Sequence, residues 1–237
     1  MVFGVGNIRD NIIHKNKKNY TATYSVESIR DLTNAIIPHF NKYPLITQKS
    51  ADFELFKMVV ELMSKKKHLT TEGLHKIISI RASMNFGLSN ALKIAFPYIT
   101  PVARPQVELP KNINLHWLAG FTEAEGCFHC AILQNTTFKL GSQTQLRFSI
   151  SQHKRDRALL DLILKYFNCG ILINSRDNVE FTIVKLSDIL DKIIPLFRVY
   201  TLQGSKALDF EDFCKIAELL NNKAHLTSEG WRKYQKN

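Results

Sequence analysis

The sequence predicts an α+β fold of two tandem repeats, each with the element order αββαββα and antiparallel strands. The first observation is an internal repeat, because residues 36–73 align without gaps onto residues 193–230 at a constant shift of 157. Apolar positions shared by the two copies follow the helical period, which predicts a common packed helix in each repeat. The matched pairs include Pro38 with Pro195, Phe40 with Phe197, Lys49 with Lys206 and Phe53 with Phe210.

The second observation is a proline-rich segment between the two copies. Residues 97–114 hold four of the seven prolines, namely Pro97, Pro101, Pro105 and Pro110. This composition is typical of an extended linker. We therefore predict a first repeat over residues 1–96, a linker over 97–114 and a second repeat over 115–237.

The second repeat shows the whole element order. Its pattern predicts, in turn, a helix over 115–125, a strand starting at Cys127, a turn near Gly141, a strand over 145–152, a helix over 157–167, strands over 170–174 and 179–185, and the shared helix. The strand over 145–152 alternates apolar and polar residues cleanly, which is typical of a half-buried strand.

The first repeat shows only the later part of this order, with its strand pair over residues 4–9 and 20–26. At the shift of 157, the counterpart of Leu118 would precede Met1. We therefore expect the first repeat to be N-terminally incomplete, without an opening helix and hairpin.

The charge balance favours a nucleic-acid partner. Lysine and arginine number 32 against 21 aspartates and glutamates, so the formal net charge is +11. Such a balance favours a polyanion over an acidic-protein role. No apolar run approaches the roughly 20 residues of a spanning helix, and the start resembles neither a signal peptide nor a transit peptide. We expect no membrane partner, and a soluble protein that is cytosolic, nuclear or made inside the compartment where it works.

The stretch CFHC (127–130) has a spacing that zinc sites use, but the sequence has no second cysteine pair to complete such a site. Strand alternation would also send Cys127 and Cys130 to opposite faces. Reduced thiols are the better interpretation.

The stretch LAGFTEAEG (118–126) resembles the signature motif of the LAGLIDADG homing endonucleases. The similarity continues through YPLITQK (43–49), KKHLTTEG (66–73), RASMNFGLS (81–89), FSISQHKRD (148–156) and KLSDILDKIIPLF (185–197). Together these segments look like the single-chain, two-repeat members encoded in fungal mitochondrial introns. The resemblance implies two motif helices side by side between saddle-shaped sheets that lie in the major groove of double-stranded DNA.

The resemblance also implies that one acid from each motif helix binds a divalent metal, and Glu125 occupies that position here. A carboxylate in the last helical turn faces the negative end of the helix dipole, which costs about 0.3 to 1 kcal/mol unless a cation compensates. Mg²⁺ accepts such oxygen ligands. Glu123 would point about 200° away around the helix, so a structural role suits it better.

Gln145 matches a family position near the scissile phosphates, and Lys49 and Lys206 are candidates for the basic catalytic partners. For these two lysines a solvated position at a helix start is the equal alternative. Candidate DNA-binding side chains are Asn7, Arg9, Asn11, His129, Asn135, Arg147, Ser149 and Ser151. A half-solvated antiparallel sheet would show the same alternation without any DNA contact.

The incomplete first repeat leaves three functional interpretations. The chain is a piece of an active Mg²⁺-dependent homing endonuclease, a relic that binds DNA without cleaving it, or a protein with another task such as an intron RNA maturase or a component of an RNA-rich assembly. We also expect the 115–126 helix to expose Leu118, Phe121 and Gly120, which favours self-association. Abundant asparagine, lysine and isoleucine suit an AT-rich organelle genome, and with the resemblance this predicts a mitochondrial protein.

Overall fold

The structure, a computed structural model, describes residues 3–14, 17–134 and 142–222, with the backbone alone for residues 10–14, 17–20 and 142. The chain divides into two compact units, Met1–Glu108 and Leu109–Asn237. The boundary between them falls within the residues 97–114 that the prolines mark as a linker.

The first unit consists of an antiparallel hairpin followed by helices. The hairpin is formed by β1 (Asn7–His14) and β2 (Lys17–Ser25). A continuous helical stretch follows, made of α1 (Ile29–Asp31), a π-helical turn (Leu32–Ile36) and α2 (Ile37–Lys42). The later elements are α3 (Lys49–Ser64), a 3-10 turn (Lys67–Leu69), α4 (Thr71–Ala82) and α5 (Asn90–Ala95).

The second unit alternates helices with hairpins, as the α+β prediction required. It contains α6 (Leu115–Glu125), β3 (Gly126–Gln134), β4 (Ser142–His153), a 3-10 turn (Lys154–Asp156), α7 (Arg157–Phe167), β5 (Ile171–Ser175), β6 (Asn178–Ile183), α8 (Leu186–Asp188), a π-helical turn (Ile189–Ile193), α9 (Ile194–Val199) and α10 (Lys206–Asn221). The four strands form one antiparallel sheet in the order β3-β4-β6-β5.

The helices of the two units reproduce the internal repeat. The helices α3 and α10 begin 157 residues apart and end 157 residues apart. The same shift relates α1 to α8, α2 to α9 and the two π-helical turns. Pro38 and Pro195 stand just after these turns. Since a proline ring crowds the carbonyl four residues earlier, the wider π turn relieves that clash in both units.

A cluster of phenylalanines fills the core of the second unit. The Phe128 ring of β3 lies 5.2 to 5.7 Å, centroid to centroid, from the rings of Phe148, Phe197, Phe210 and Phe213. These rings come from β4, α9 and α10, so one face of the sheet is covered by helices. The opposite face of the sheet carries the polar side chains.

Helix α7 packs on the same core through one apolar stripe. Leu159, Leu160, Ile163 and Phe167 recur at helical spacing and are all buried. Burial of each such side chain stabilises the fold by about 1.5 to 3 kcal/mol. Asn168 ends the helix in the left-handed conformation, at φ 48°. Among the described residues, no helix combines the length and apolarity needed to cross a membrane.

The proline-rich segment is anchored to the helices of the first unit by Arg104. Its guanidinium donates to Asp52 Oδ1 at 2.7 Å, to the Ser83 carbonyl at 2.8 Å and to the Gln48 carbonyl at 3.0 Å. The Asn85 backbone N–H donates to the same Asp52 oxygen at 3.0 Å. One buried carboxylate of α3 therefore holds both the segment after α4 and the linker.

Candidate nucleic-acid interface

The uncovered side of the four-stranded sheet is the candidate interface, and we call it the outer face. Strand register places alternate residues of all four strands on it. These are Cys127, His129, Ala131 and Leu133 of β3, Gln143, Gln145, Arg147, Ser149, Ser151 and His153 of β4, Asn178, Glu180 and Thr182 of β6, and Ile171, Ile173 and Ser175 of β5.

The predicted reading residues of the second repeat come together on this outer face. His129 pairs with Arg147, Gln145 pairs with Ala131, and Ser149 pairs with Cys127 across the β3–β4 ladder. Ser151 continues the row opposite Glu180. Asn135, also proposed for this surface, lies outside the described residues. The contacts that these side chains make with DNA remain a prediction.

Two outer-face residues carry polar atoms that lack a partner. Arg147 Nε and Thr182 Oγ1 are buried and have no hydrogen bond among the described residues. Buried polar atoms of this kind are normally hydrogen-bonded, and a covered atom cannot be reached by a ligand unless its neighbours move. Ser149, only 4% exposed, lies directly opposite Thr182 and is shielded in the same way.

Sequence reasoning missed the contribution of β6 to the outer face. In the segment NVEFTI, Glu180 and Thr182 lie between the buried residues Val179, Phe181 and Ile183. Alternation alone could have assigned them to the opposite face from those three. Only the pairing of β6 with β4 shows that they extend the row of Ser149 and Ser151.

The hairpin of the first unit places the predicted residues on a second polar face. Asn7, Arg9 and Asn11 pair with Ser25, Thr23 and Thr21, respectively. The Arg9 guanidinium lies 3.6 Å from the Glu27 carboxylate. Of Asn11 only the backbone is described. Ile8, on the other face of β1, is 68% exposed, so the alternation here does not separate a buried face from a solvated one.

Helix α6 delivers Glu125 to the start of the outer face. The helix ends at Glu125 and β3 begins at the next residue, Gly126. A Cβ at Gly126 would lie 2.5 Å from Thr122 Cγ2 and 2.7 Å from the Thr122 carbonyl oxygen, so this abrupt change from helix to strand needs glycine. Glu125 is exposed and has no hydrogen bond or ion pair among the described residues.

The position of Glu125 fits a divalent cation that is held mainly by other ligands. The described residues contain no cluster of three histidine, cysteine or acidic side chains that could enclose a metal. A single free carboxylate is nevertheless the donor set that Mg²⁺ uses in phosphate complexes, where phosphate and water complete the coordination. Glu125 therefore fits the cation that its family position implies.

Glu123 has a different environment from Glu125. Its Oε2 accepts the Gln203 backbone N–H at 3.1 Å, and Gly204 packs against its Oε1. This contact ties α6 to the loop that leads into α10. Lys206 is the first residue of α10, and Lys49 is the corresponding first residue of α3.

One prediction about α6 is wrong. Leu118, expected on the exposed face of the helix, is fully buried in the second unit, and Phe121 is half-buried, stacked on Trp117 at 4.6 Å between ring centroids. Gly120 is exposed, as expected, and so is Ala124 one turn later. The error arose because Leu118 lies on the stripe that packs onto the unit's own sheet.

Comparison with known proteins identifies the family. A model described as LAGLIDADG endonuclease matches residues 2–60 and 118–217. The chain belongs to the LAGLIDADG endonuclease family, which confirms the interpretation of the motif at residues 118–126.

Curated relatives include two proteins of Neurospora crassa. The chain is 44% identical over 222 residues to "Probable intron-encoded endonuclease 3", covering 92% of this chain and 41% of that protein. It is 41% identical over 243 residues to "Probable intron-encoded endonuclease 2", covering 97% of this chain and 52% of that protein. The chain thus spans about half the length of these curated relatives.

Solved structures share the fold. The homing endonuclease I-SmaMI bound to cleaved DNA has a TM-score of 0.93 and 41% identity, over 99% of this chain and 77% of that one. I-LtrWI bound to target DNA has a TM-score of 0.91 and 42% identity, over 97% of this chain and 76% of that one. Another I-SmaMI structure contains uncleaved DNA and calcium ions.

Proposed function

We propose that this chain acts as a site-specific homing endonuclease that hydrolyses phosphodiester bonds of double-stranded DNA with a divalent cation, Mg²⁺. The observation that carries the proposal is the junction of α6 and β3. It places the exposed carboxylate of Glu125 at the start of a sheet face lined with hydrogen-bonding side chains. The DNA complexes of I-SmaMI and I-LtrWI support the same substrate for this chain.

The outer face would read DNA in the major groove, where each base pair presents a distinct set of donors and acceptors. Arg147 suits the two acceptors of guanine, and His129 stands beside it on the neighbouring strand. The hairpin residues Asn7, Arg9 and Asn11 would read a second part of the site. Alternation along the strands presents one side chain about every 7 Å, so each ribbon samples several base pairs.

At the phosphate, each residue has a separate task. Glu125 would hold the cation, which when bound neutralises phosphate charge and activates water. Gln145 would orient water through its amide, because that group both donates and accepts hydrogen bonds. Lys206 and Lys49 would stabilise the charge that develops on the phosphate oxygens.

The two lysines have support from the solved relatives. I-SmaMI has been solved with each of two lysines replaced by alanine, and with both replaced. Those two positions are separated by nearly the same number of residues as Lys49 and Lys206. We therefore retain both lysines as catalytic candidates.

The exposed face of α6 bears on assembly. A Cβ added at Gly120 would meet no atom within 4 Å, and Ala124 is exposed one turn later. Small residues at this spacing let another helix approach closely. We propose self-association of two copies through the helix over residues 115–126. Multi-angle light scattering would show a dimer that Gly120→Leu dissociates, and a monomer at every concentration would contradict this assembly.

The relatives support a mitochondrial location. They include intron-encoded endonucleases and a 50.9 kDa protein in ND4 intron 1 of Podospora anserina, 31% identical over 143 residues. We propose that this chain, too, is encoded in an organelle intron and acts in the mitochondrion, where intron RNA is a competing ligand.

The experiment selects duplexes from a randomised library by binding without metal, and then incubates the selected duplexes with Mg²⁺. We expect cleavage by the wild-type chain, no cleavage with a chelator, and loss of cleavage with retained binding for Glu125→Gln. Glu218→Gln is the matched control, because it makes the same change at an exposed residue of α10. Unimpaired cleavage by Glu125→Gln would contradict the assignment of this residue. Binding without cleavage, or preferential binding of an intron RNA competitor, would favour a non-cleaving or maturase function.

A further inference from the structure

The half of the outer face formed by β5 and β6 has a chemistry unlike that of a phosphate-binding surface. Its side chains are Ile171, Ile173, Ser175, Asn178, Glu180 and Thr182. Within this described set there is no lysine or arginine, although the chain as a whole carries a net charge of +11. Most of the electrostatic attraction to DNA phosphates comes from such cations. This half of the face therefore lacks the charge that attracts phosphates.

Glu180 is the one acid in this described set. It stands in the middle of β6, opposite Ser151 of β4 and Ile173 of β5. It is half-buried and has no hydrogen bond or ion pair among the described residues. A carboxylate held against DNA would be repelled by phosphates. Since no lysine or arginine lies in this described set, a group of the DNA that donates hydrogen bonds would stabilise it.

The major groove offers two such donors, the N4 amine of cytosine and the N6 amine of adenine. An ionised carboxylate accepts hydrogen bonds and donates none. At adenine the N7 lone pair lies beside the N6 amine and would face the second carboxylate oxygen. At cytosine the amine has only a C–H group beside it, so cytosine is the better partner.

We propose that Glu180 is a specificity-determining residue that selects cytosine at one position of the DNA site. The inference rests on the proposed function, since it requires the outer face to lie in the major groove. The exposed isoleucines beside Glu180 fit the same surface, because apolar side chains tolerate contact with base edges and thymine methyl groups.

The test is the selection of a fully randomised duplex library by binding in the absence of metal, followed by sequencing. The proteins compared are the wild-type chain, Glu180→Gln, Glu180→Ala and the control Glu218→Gln. Glu218 is exposed on α10, the helix that packs on the covered side of the sheet through Phe210 and Phe213, so this control removes the same charge away from the outer face.

For the wild-type chain we expect an enriched sequence with cytosine at one position that depends on residue 180. Glu180→Gln should change that position alone to adenine, by about tenfold in relative preference, because glutamine accepts from N6 and donates to N7. Glu180→Ala should leave that position without preference. Glu218→Gln should keep the wild-type sequence.

The outcomes distinguish a failure of the proposed function from a failure of the role of Glu180. A wild-type chain that enriches no sequence would overturn the proposed function and this inference with it. A wild-type chain that enriches a sequence which both Glu180 variants retain unchanged would overturn the role of Glu180 alone. Circular dichroism of each variant identifies any that has not folded, and the remaining variant then decides.

Discussion

At the scale of single residues, the two acids of the motif helix have distinct surroundings. Glu125 has no hydrogen bond or ion pair among the described residues, whereas the Glu123 carboxylate accepts the Gln203 backbone N–H in the loop before Lys206. The loop and the helix lie far apart in sequence, so this contact fixes the start of α10 relative to the helix that carries Glu125. Glu123 is therefore a structural residue on the evidence of its contact with Gln203 and Gly204.

Alanine at two glycines should change the stability of the fold in opposite directions, and only Gly204 lies at the contact with Glu123. At Gly204 a Cβ would overlap Glu123 Oε1, so Gly204→Ala should break the hydrogen bond to Gln203 and destabilise the fold by about 1 kcal/mol. At Gly120 a Cβ has open space, so Gly120→Ala should stabilise helix α6 by about 0.5 to 1 kcal/mol. Urea denaturation measures both, and an equal sign for the two changes would contradict the geometry.

At the scale of elements, the sequence predicted the long helices better than the strands. Helices over 115–125 and 157–167 were predicted with their observed bounds, because apolar periodicity and terminal residues mark both ends. Strand β4 runs from Ser142 to His153, beyond the predicted 145–152. Its additional residues join the sheet through backbone pairing, which leaves no mark on the side-chain pattern.

For the candidate site, too, the sequence predicted one part and missed another. The motif and alternation pointed to Glu125 and to the outer-face residues of β4. The assignment of Glu180 and Thr182 to the outer face needed the pairing of β6 with β4, a long-range contact that the local pattern does not encode. The face of α6 that is exposed also depends on which side packs onto its own sheet, and for that reason the exposure of Leu118 was predicted wrongly.

The link between α3 and the linker gives a pH-dependent prediction. Burial by itself raises the pKa of Asp52, but hydrogen bonds from Arg104 and the Asn85 N–H, with the charges of Arg104 and Lys49, lower the pKa below its usual 3.8. A lowered folded-state pKa adds stability above pH 3.8 that is lost as the pH falls through the folded-state value.

Asp52→Asn should therefore destabilise the chain by about 2 kcal/mol at pH 6, because Arg104 loses its charged acceptor. The difference from wild type should shrink as the pH falls below 3.8. Asp209→Asn is the matched control, since Asp209 is the repeat counterpart on α10 and is exposed. Denaturation curves at pH 6 and below pH 3.8 measure the stability difference between Asp52→Asn and wild type. A stability difference that grows at low pH would contradict the role of the ion pair.

At the scale of the whole molecule, the lysines and arginines behind the net charge of +11 supply the cations for the proposed DNA binding. Each phosphate contact by a lysine or arginine releases counterions, so the logarithm of the affinity falls linearly with the logarithm of the salt concentration. Base contacts add specificity without adding to that slope. The two classes of contact can therefore be told apart by mutation.

Fluorescence anisotropy with the selected duplex should show a loss of about a thousandfold in affinity between 50 and 200 mM salt. Lys206→Gln should lower the slope by about 1, because Lys206 is assigned to a phosphate. Arg147→Gln should weaken binding to the selected duplex with the slope unchanged, because Arg147 is assigned to a base edge, and should leave binding to an unrelated duplex unaffected. If instead Arg147→Gln lowers the slope and Lys206→Gln does not, the outer face contacts the backbone, and the assignment of base reading to β4 is wrong.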